Sequence, residues 1–232
     1  MAGAFTTEAI RVERPNKTLR ELTLDKVRDA ITSGYFRPGD RLVERDLCAQ
    51  LGVSRTVVRE VLRHLETEGL VTNLANRGPT VAELDADEAR QIYEIRGALE
   101  GMAARQCAER GDAGLPDRLA ETLAAIVKAY RDKDMAGVLG RTTDFYELLF
   151  NSVGLNVAWD IEKQLTGRIN HLRSMTIRTE RRAVDGPARM SSIIEAIRNK
   201  DGEAAQAAAI AHVESACRIA ISLLEAERGA RD

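Results

Sequence analysis

The chain has 232 residues, 44% of them hydrophobic and 30% charged, with a formal net charge of -2. That length and mix favour two domains of unequal size, each with a real core. Its apolar runs fall far short of the ~20 residues that cross a bilayer, and residues 1–17 lack the basic-then-apolar order of a secretory signal, so a cytoplasmic protein with no membrane partner is expected. Cys48, Cys107 and Cys217 lie far apart and none belongs to a CxxC pair. This argues against a disulfide framework or a zinc finger, and each thiol falls on the apolar stripe of an expected helix, where it acts as a small hydrophobe.

Taken in chain order, residues 1–16 are polar and aperiodic and read as a flexible arm. From Thr18 to Ser33, Leu19, Leu22, Leu24, Val27 and Ile31 follow helical spacing up to Gly34. A turn at Pro38-Gly39 leads to a short helix over 43–51, stopped by Gly52. Ser54 can cap a longer helix that runs through Glu68. The segments LVTN and PTVAEL flank Ala75-Asn76-Arg77-Gly78 as a small β-hairpin. After Asp85 the pattern is helical throughout, with helices expected at 85–110, 115–131, 134–152, 155–180, 187–199 and 201–227. The breaks include Gly154 and Gly186-Pro187, and the short loops make neighbouring helices antiparallel, as in a bundle. The expected fold is therefore mainly α: a winged helix-turn-helix over 17–82 and an all-helical antiparallel bundle over 85–228.

Residues 1–82 carry 13 Lys and Arg against 11 Asp and Glu, and the remainder 21 against 25. So small an asymmetry says nothing of nucleic acid. The placement of the arginines says more. On the third helix Val58, Val61, Leu62 and Leu65 make one apolar stripe, and Arg55, Thr56, Arg59 and Arg63 lie off it. A helix so divided can pack its back on the domain and enter a major groove with arginines that reach guanine edges or phosphates. Arg63 has Glu60 and Glu66 close enough to pair with it instead. Arg45 is placed to reach the backbone, and Arg77 beside Gly78 suits a wing tip.

The string GDRLVERDLCAQLGVSRTVVREVLRHLETEGLV, followed by NRGPTV, resembles the GntR family of bacterial regulators over residues 18–82. The resemblance implies a DNA surface of Arg45, Ser54, Arg55, Thr56, Arg59, Arg77 and Gly78. The segments IYEIRGALEGMAARQCAE, FYELLFNSVGLN and IIEAIRNKDGEAAQAAAIAHV resemble the FCD effector domain of the FadR-like branch. Many such domains hold a divalent metal with one Asp and three His. Here the corresponding positions read Thr142, Tyr146, Met190 and His212, and His171 falls on none of them. One imidazole does not hold zinc, manganese or nickel without further ligands, and Asp144 lies about 200° around a helix from Thr142. No metal and no cofactor are expected.

The expected effector contacts are Arg96, Thr142, Tyr146, Met190 and His212. Arg96 would pair with a ligand carboxylate, and Glu100, four residues on, is its competing partner. The resemblance thus implies a homodimeric repressor on palindromic operator DNA, released by a small effector of organic-acid type, with residues 85–228 as the effector-binding and dimerisation domain. The alternative is a metal-dependent sensor built on His212 with non-standard ligands, such as Asp144 and His171. No GxSxG, Walker loop or HExxH is present, so no enzyme is expected.

Overall fold

The computed structural model describes residues 17–74 and 77–229; the expected arm over 1–16 lies outside them. The described residues form nine helices and one two-stranded sheet. The first unit is α1 (Leu19–Thr32), α2 (Glu44–Leu51), α3 (Arg55–Thr67), β1 (Val71–Leu74) and β2 (Gly78–Val81). Thr18 and Glu21 close a reciprocal capping box on α1. Gly52 ends α2 at φ +67°, a left-handed value that a side chain makes costly. Ser54 accepts a hydrogen bond from the Val57 N–H and so starts α3 three residues later. That spacing fixes the turn between the two helices. Leu24, Val27, Ile31, Leu47, Val58 and Leu65 bury the three helices against one another, with Val71 and Val81 closing the sheet side. The strands are antiparallel, in register from Val71↔Val81 to Leu74↔Gly78.

The second unit is helical: α4 (Ala86–Arg110), α5 (Leu115–Arg131), α6 (Met135–Asn151), α7 (Asn156–Thr176), α8 (Glu180–Arg198) and α9 (Gly202–Gly229). Small residues bring α4 and α9 close along most of their length, with Ala89 and Ala104 facing Ala209, Val213 and Ala216 among the buried residues. Phe145, Leu149 and Phe150 of α6 fill the space between these helices and α5, and Phe150 stacks on Trp159. All three cysteines are free, and burial pushes the Cys107 thiol up to about 11, which leaves it protonated and inert.

Two expectations need correction. Residues 177–186 were expected to hold the end of one helix and a break at Gly186-Pro187, but α7 stops at Thr176, Thr179 caps the next helix, and α8 runs straight through Pro187. Proline inside a helix removes a hydrogen bond and costs ~3 kcal/mol, so packing has overridden local preference here. The apolar runs were also underestimated: Gly202–Ala226 of α9 is long and apolar enough, by length and composition, to span a bilayer. It is the core helix of this domain, with Ala205, Ala209, Val213, Ala216 and Ala220 buried and Glu214 and Arg218 facing outward.

Candidate DNA interface and effector cavity

The apolar stripe of α3 sets what its other face can do. With Val58, Val61, Leu62 and Leu65 buried, Arg55, Thr56, Arg59 and Arg63 are turned outward and exposed. Glu44 at the start of α2 reaches across to Arg59, and both carboxylate oxygens accept from the Arg59 Nε at 2.9 Å. The Glu44 pair raises the Arg59 pKa. The contact is made through Nε, not through the two terminal nitrogens, the pair that grips a guanine edge or a phosphate, and the side chain is exposed. Arg45 is exposed beside Asp46, 3.0 Å away. Ser54 is spent on the helix cap, so its DNA role would be through what remains of its hydroxyl. At the wing, Gly78 takes φ +75° and Arg77 is exposed next to it; Ala75 and Asn76 lie outside the described residues. Arg45, Arg55, Thr56, Arg59, Arg77 and Gly78 thus stand on α2, α3 and the hairpin, none of them buried.

In the helical unit the sequence gives few polar residues reason to be inside, yet many are. Arg96, Glu100, Glu162, Arg173, Arg182 and His212 are all buried, together with Tyr146. Arg96 and Glu100, one turn apart on α4, form an ion pair of 2.7 Å. Burial opposes the charge on Arg96, and the acidic groups around it, Glu100 foremost, hold its pKa above the ordinary value. Burial and the nearby Glu100 carboxylate push the Glu162 carboxyl upward, towards the neutral form. Arg173 lies over the Tyr146 ring, 5.2 Å from its centroid. Arg182 donates from one terminal nitrogen to His212 Nε2 at 2.8 Å, and its other terminal nitrogen is buried without a partner. Among the described residues neither Arg173 nor Arg182 has an ion-pair partner within 4.0 Å. Burial lowers the pKa of each.

A guanidinium has no acceptor, so His212 Nε2 must be the acceptor and the ring proton must sit on Nδ1, itself buried and unpartnered. Burial, together with Arg182, Arg96 and Arg173, holds His212 well below its ordinary pKa and hence neutral.

These groups surround a cavity of about 20 Å³ whose walls include Ile126, Thr142, Arg173, Arg182, Met190 and His212. Gly186 and Pro187 line it too, so the segment misread as a break is part of its wall. Of the five expected effector contacts, Thr142, Met190 and His212 line the cavity. Tyr146 is buried beneath it, its hydroxyl unpartnered, and Arg96 stands back from it on Glu100. Neither Arg173 nor Arg182 stands out in the sequence: Arg182 sits where the helix boundary was misplaced, and Arg173, inside the expected helix, carries no local signal that it is buried. A correct frame for α8 puts Arg182 one turn before Gly186.

The cavity does not suit the metal that the FCD resemblance brings with it. Thr142 spends its hydroxyl proton on the Val138 carbonyl at 2.7 Å. Burial pushes the Tyr146 hydroxyl far above its ordinary pKa, so it supplies no phenolate. Met190 offers a soft thioether to a site otherwise of nitrogen and oxygen, and Arg182 brings a positive charge to within 2.8 Å of the one imidazole nitrogen available. The alternative ligand set is not assembled either. Asp144 is exposed on the outer side of α6, and His171 borders a separate cleft near Leu84 and Arg228. No three His, Cys, Asp or Glu side chains come together in a metal-holding group among the described residues.

Two family comparisons decide the matter: residues 19–81 match the bacterial regulatory proteins of the gntR family, and residues 91–215 match the FCD domain. The chain belongs to the FCD-bearing GntR regulators. It is 27% identical over 205 residues to the uncharacterized HTH-type transcriptional regulator YdhC of Bacillus subtilis strain 168, covering 87% of this chain and 90% of that one. It is 24% identical over 204 residues to the HTH-type transcriptional repressor RspR of Escherichia coli K12, covering 86% and 88%. Among solved structures, the GntR transcriptional regulator of Rhodococcus sp. RHA1 superposes with a TM-score of 0.73 at 27% identity, over 88% of this chain and 97% of that one. This GntR protein is accordingly a DNA-binding transcriptional regulator, and its relatives are regulators rather than enzymes.

Proposed function

We propose that this GntR regulator is a homodimeric repressor of a palindromic operator, released when a small organic acid enters the helical domain without a metal. The observation that carries this reading is the pair of buried guanidinium groups, Arg173 and Arg182, that the protein's own carboxylates leave unpaired. Holding such groups in the interior costs on the order of several kcal/mol each unless a counter-charge arrives. An anionic effector supplies it.

The heads span 17–82 and the effector and dimerisation domain 85–228. Each head presents Arg45, Ser54, Arg55, Thr56, Arg59, Arg77 and Gly78 to one half-site, and two heads one helical turn apart require two-fold symmetry. Thr142, Met190 and His212 touch the effector, with Tyr146 and Arg96 supporting them from behind. The repressor role is supported by the likeness to RspR, a repressor by name. The test is to select operator DNA with the purified, metal-stripped chain, then titrate short organic acids into the complex. Release of DNA in the presence of a chelator is the expected result. Release that needs an added divalent metal would overturn the metal-free reading.

A further inference from the structure

We infer that Arg182, seconded by Arg173, is the anion-binding centre of the helical domain. The inference rests on the reading above that this domain takes an acidic effector, and it names the group that binds it. Buried donors go unused at and beside the cavity, while the unpartnered buried oxygens of the domain, on Tyr93, Glu100, Tyr146 and Glu162, do not line it. Arg182 has a free terminal nitrogen, His212 an unused Nδ1–H and Arg189 an unused Nε–H, all buried. No carboxylate stands within ion-pair distance of Arg182 or Arg173 among the described residues. Buried donors without acceptors are rare in folded proteins and call for a missing partner, and beside two buried guanidinium groups without a carboxylate in ion-pair contact an anionic acceptor satisfies both the hydrogen bonds and the charge.

The walls narrow the class further. Arg182, Arg173 and His212 line the cavity, and Ile126, Ile177 and Met190 bring apolar surface to it. An oxyanion head on the guanidinium with a few carbons against the isoleucines and Met190 fits both. A short-chain carboxylate has that shape; inorganic phosphate shares the oxyanion but lacks the carbons. The cavity of about 20 Å³ holds little more than one water-sized group, so a longer ligand enters only as α8 gives way. The Pro187 step, already short of one backbone hydrogen bond, is where that helix is weakest.

The experiment follows thermal unfolding of the full chain in chelator, alone and with millimolar acetate, malonate, succinate or inorganic phosphate, for wild type and Arg182→Met. The inference expects at least one carboxylate to raise the wild-type melting temperature more than phosphate does. It expects Arg182→Met to melt higher than wild type without ligand, because an unpaired buried charge is gone, and to lose the carboxylate response by about tenfold or more in Kd. A merely structural arginine would move the first quantity the other way. Should Arg182→Met fail to fold, Arg182→Lys keeps the charge but not the fork and is expected to bind the carboxylate more weakly than wild type.

Equal stabilisation of wild type and Arg182→Met by carboxylate, a phosphate response larger than any carboxylate response, or no response to any of the four probes overturns the inference. The two readings fail separately. Carboxylate binding that leaves operator affinity unchanged removes the effector role but keeps the site. Operator release that persists in Arg182→Met removes the site but keeps the regulator.

Discussion

At Arg59 the Glu44 carboxylate holds Nε and makes no hydrogen bond to the terminal nitrogens of an exposed side chain. If those nitrogens read a base, Arg59→Ala weakens operator binding by roughly 1–3 kcal/mol and relaxes the preference at one position, measurable by fluorescence anisotropy on a set of single-base operator variants. Arg96 belongs to a different category. Its fork is occupied by Glu100 with both side chains almost wholly buried, so Arg96→Ala strands a carboxylate in the core and is expected to cost about 3–5 kcal/mol of stability. Replacing both residues with methionine should recover most of that loss; chemical denaturation of the single and double variants reads the difference.

Glu162 offers a pH signature. Its folded pKa is raised above the ordinary 4.5 by burial and by Glu100, so the native state holds a proton that the unfolded chain has given up. The stability this contributes is present below the ordinary value and is lost as pH rises through the window above it. Glu162→Gln, which carries no charge to suppress, is therefore expected to gain on wild type as pH rises from about 5 to about 8.5, by on the order of 1–3 kcal/mol. A constant difference between the two melting curves across that range would show that Glu162 is ionised throughout.

Among the helices, α7 is the one that joins the two halves of the molecule. Arg173 and Thr176 near its C-terminus line the cavity, while Gly167, two turns earlier, lies against the residue that ends α3. A β-carbon at Gly167 would come 2.4 Å from the Glu68 carbonyl oxygen, closer than backbone tolerates. Arg168 bonds Glu88, and Arg178 donates to the Ser33 carbonyl beyond the end of α1. Displacement of α7 by a ligand would thus be felt at the base of the recognition helix. Gly167→Ala is expected to leave effector affinity nearly unchanged and to alter by ~0.5–2 kcal/mol the change in operator affinity that the effector causes. Calorimetry and anisotropy on the same variant separate these two quantities.

The elements also show what the sequence could carry. The stripe on α3, the Ser54 cap and the periodic stretches that begin at Thr18 and Asp85 are local signals, and the helices they imply are present to within a residue or two. Gly186-Pro187 is a local signal too, and it misled, because the packing of Arg182 and Met190 around the cavity keeps α8 continuous across it. The same limit hid the cavity's arginines. Nothing in the local pattern distinguishes Arg182, buried, from Arg181, exposed one residue earlier; only the contact between α8 and α9 does. Thr142, Tyr146 and Met190 differ from a nitrogen-and-carboxylate ligand set in donor chemistry, a difference that the sequence carries without any geometry.

On the proposed reading, the molecule couples two chemistries of arginine: exposed guanidinium groups on the head for phosphates and bases, and buried ones in the helical domain for an anion. Binding to the second set is expected to change operator affinity by a coupling of about 1–3 kcal/mol, and because coupling is reciprocal, operator DNA should weaken effector binding by the same factor. The most direct measurement is an anisotropy titration of the metal-stripped full chain on its selected palindromic operator, with and without a saturating short-chain carboxylate. Tight binding that the carboxylate weakens by about tenfold, at a stoichiometry of two chains per palindrome, is the result expected. Tight binding that no carboxylate alters until a divalent metal is restored would contradict it.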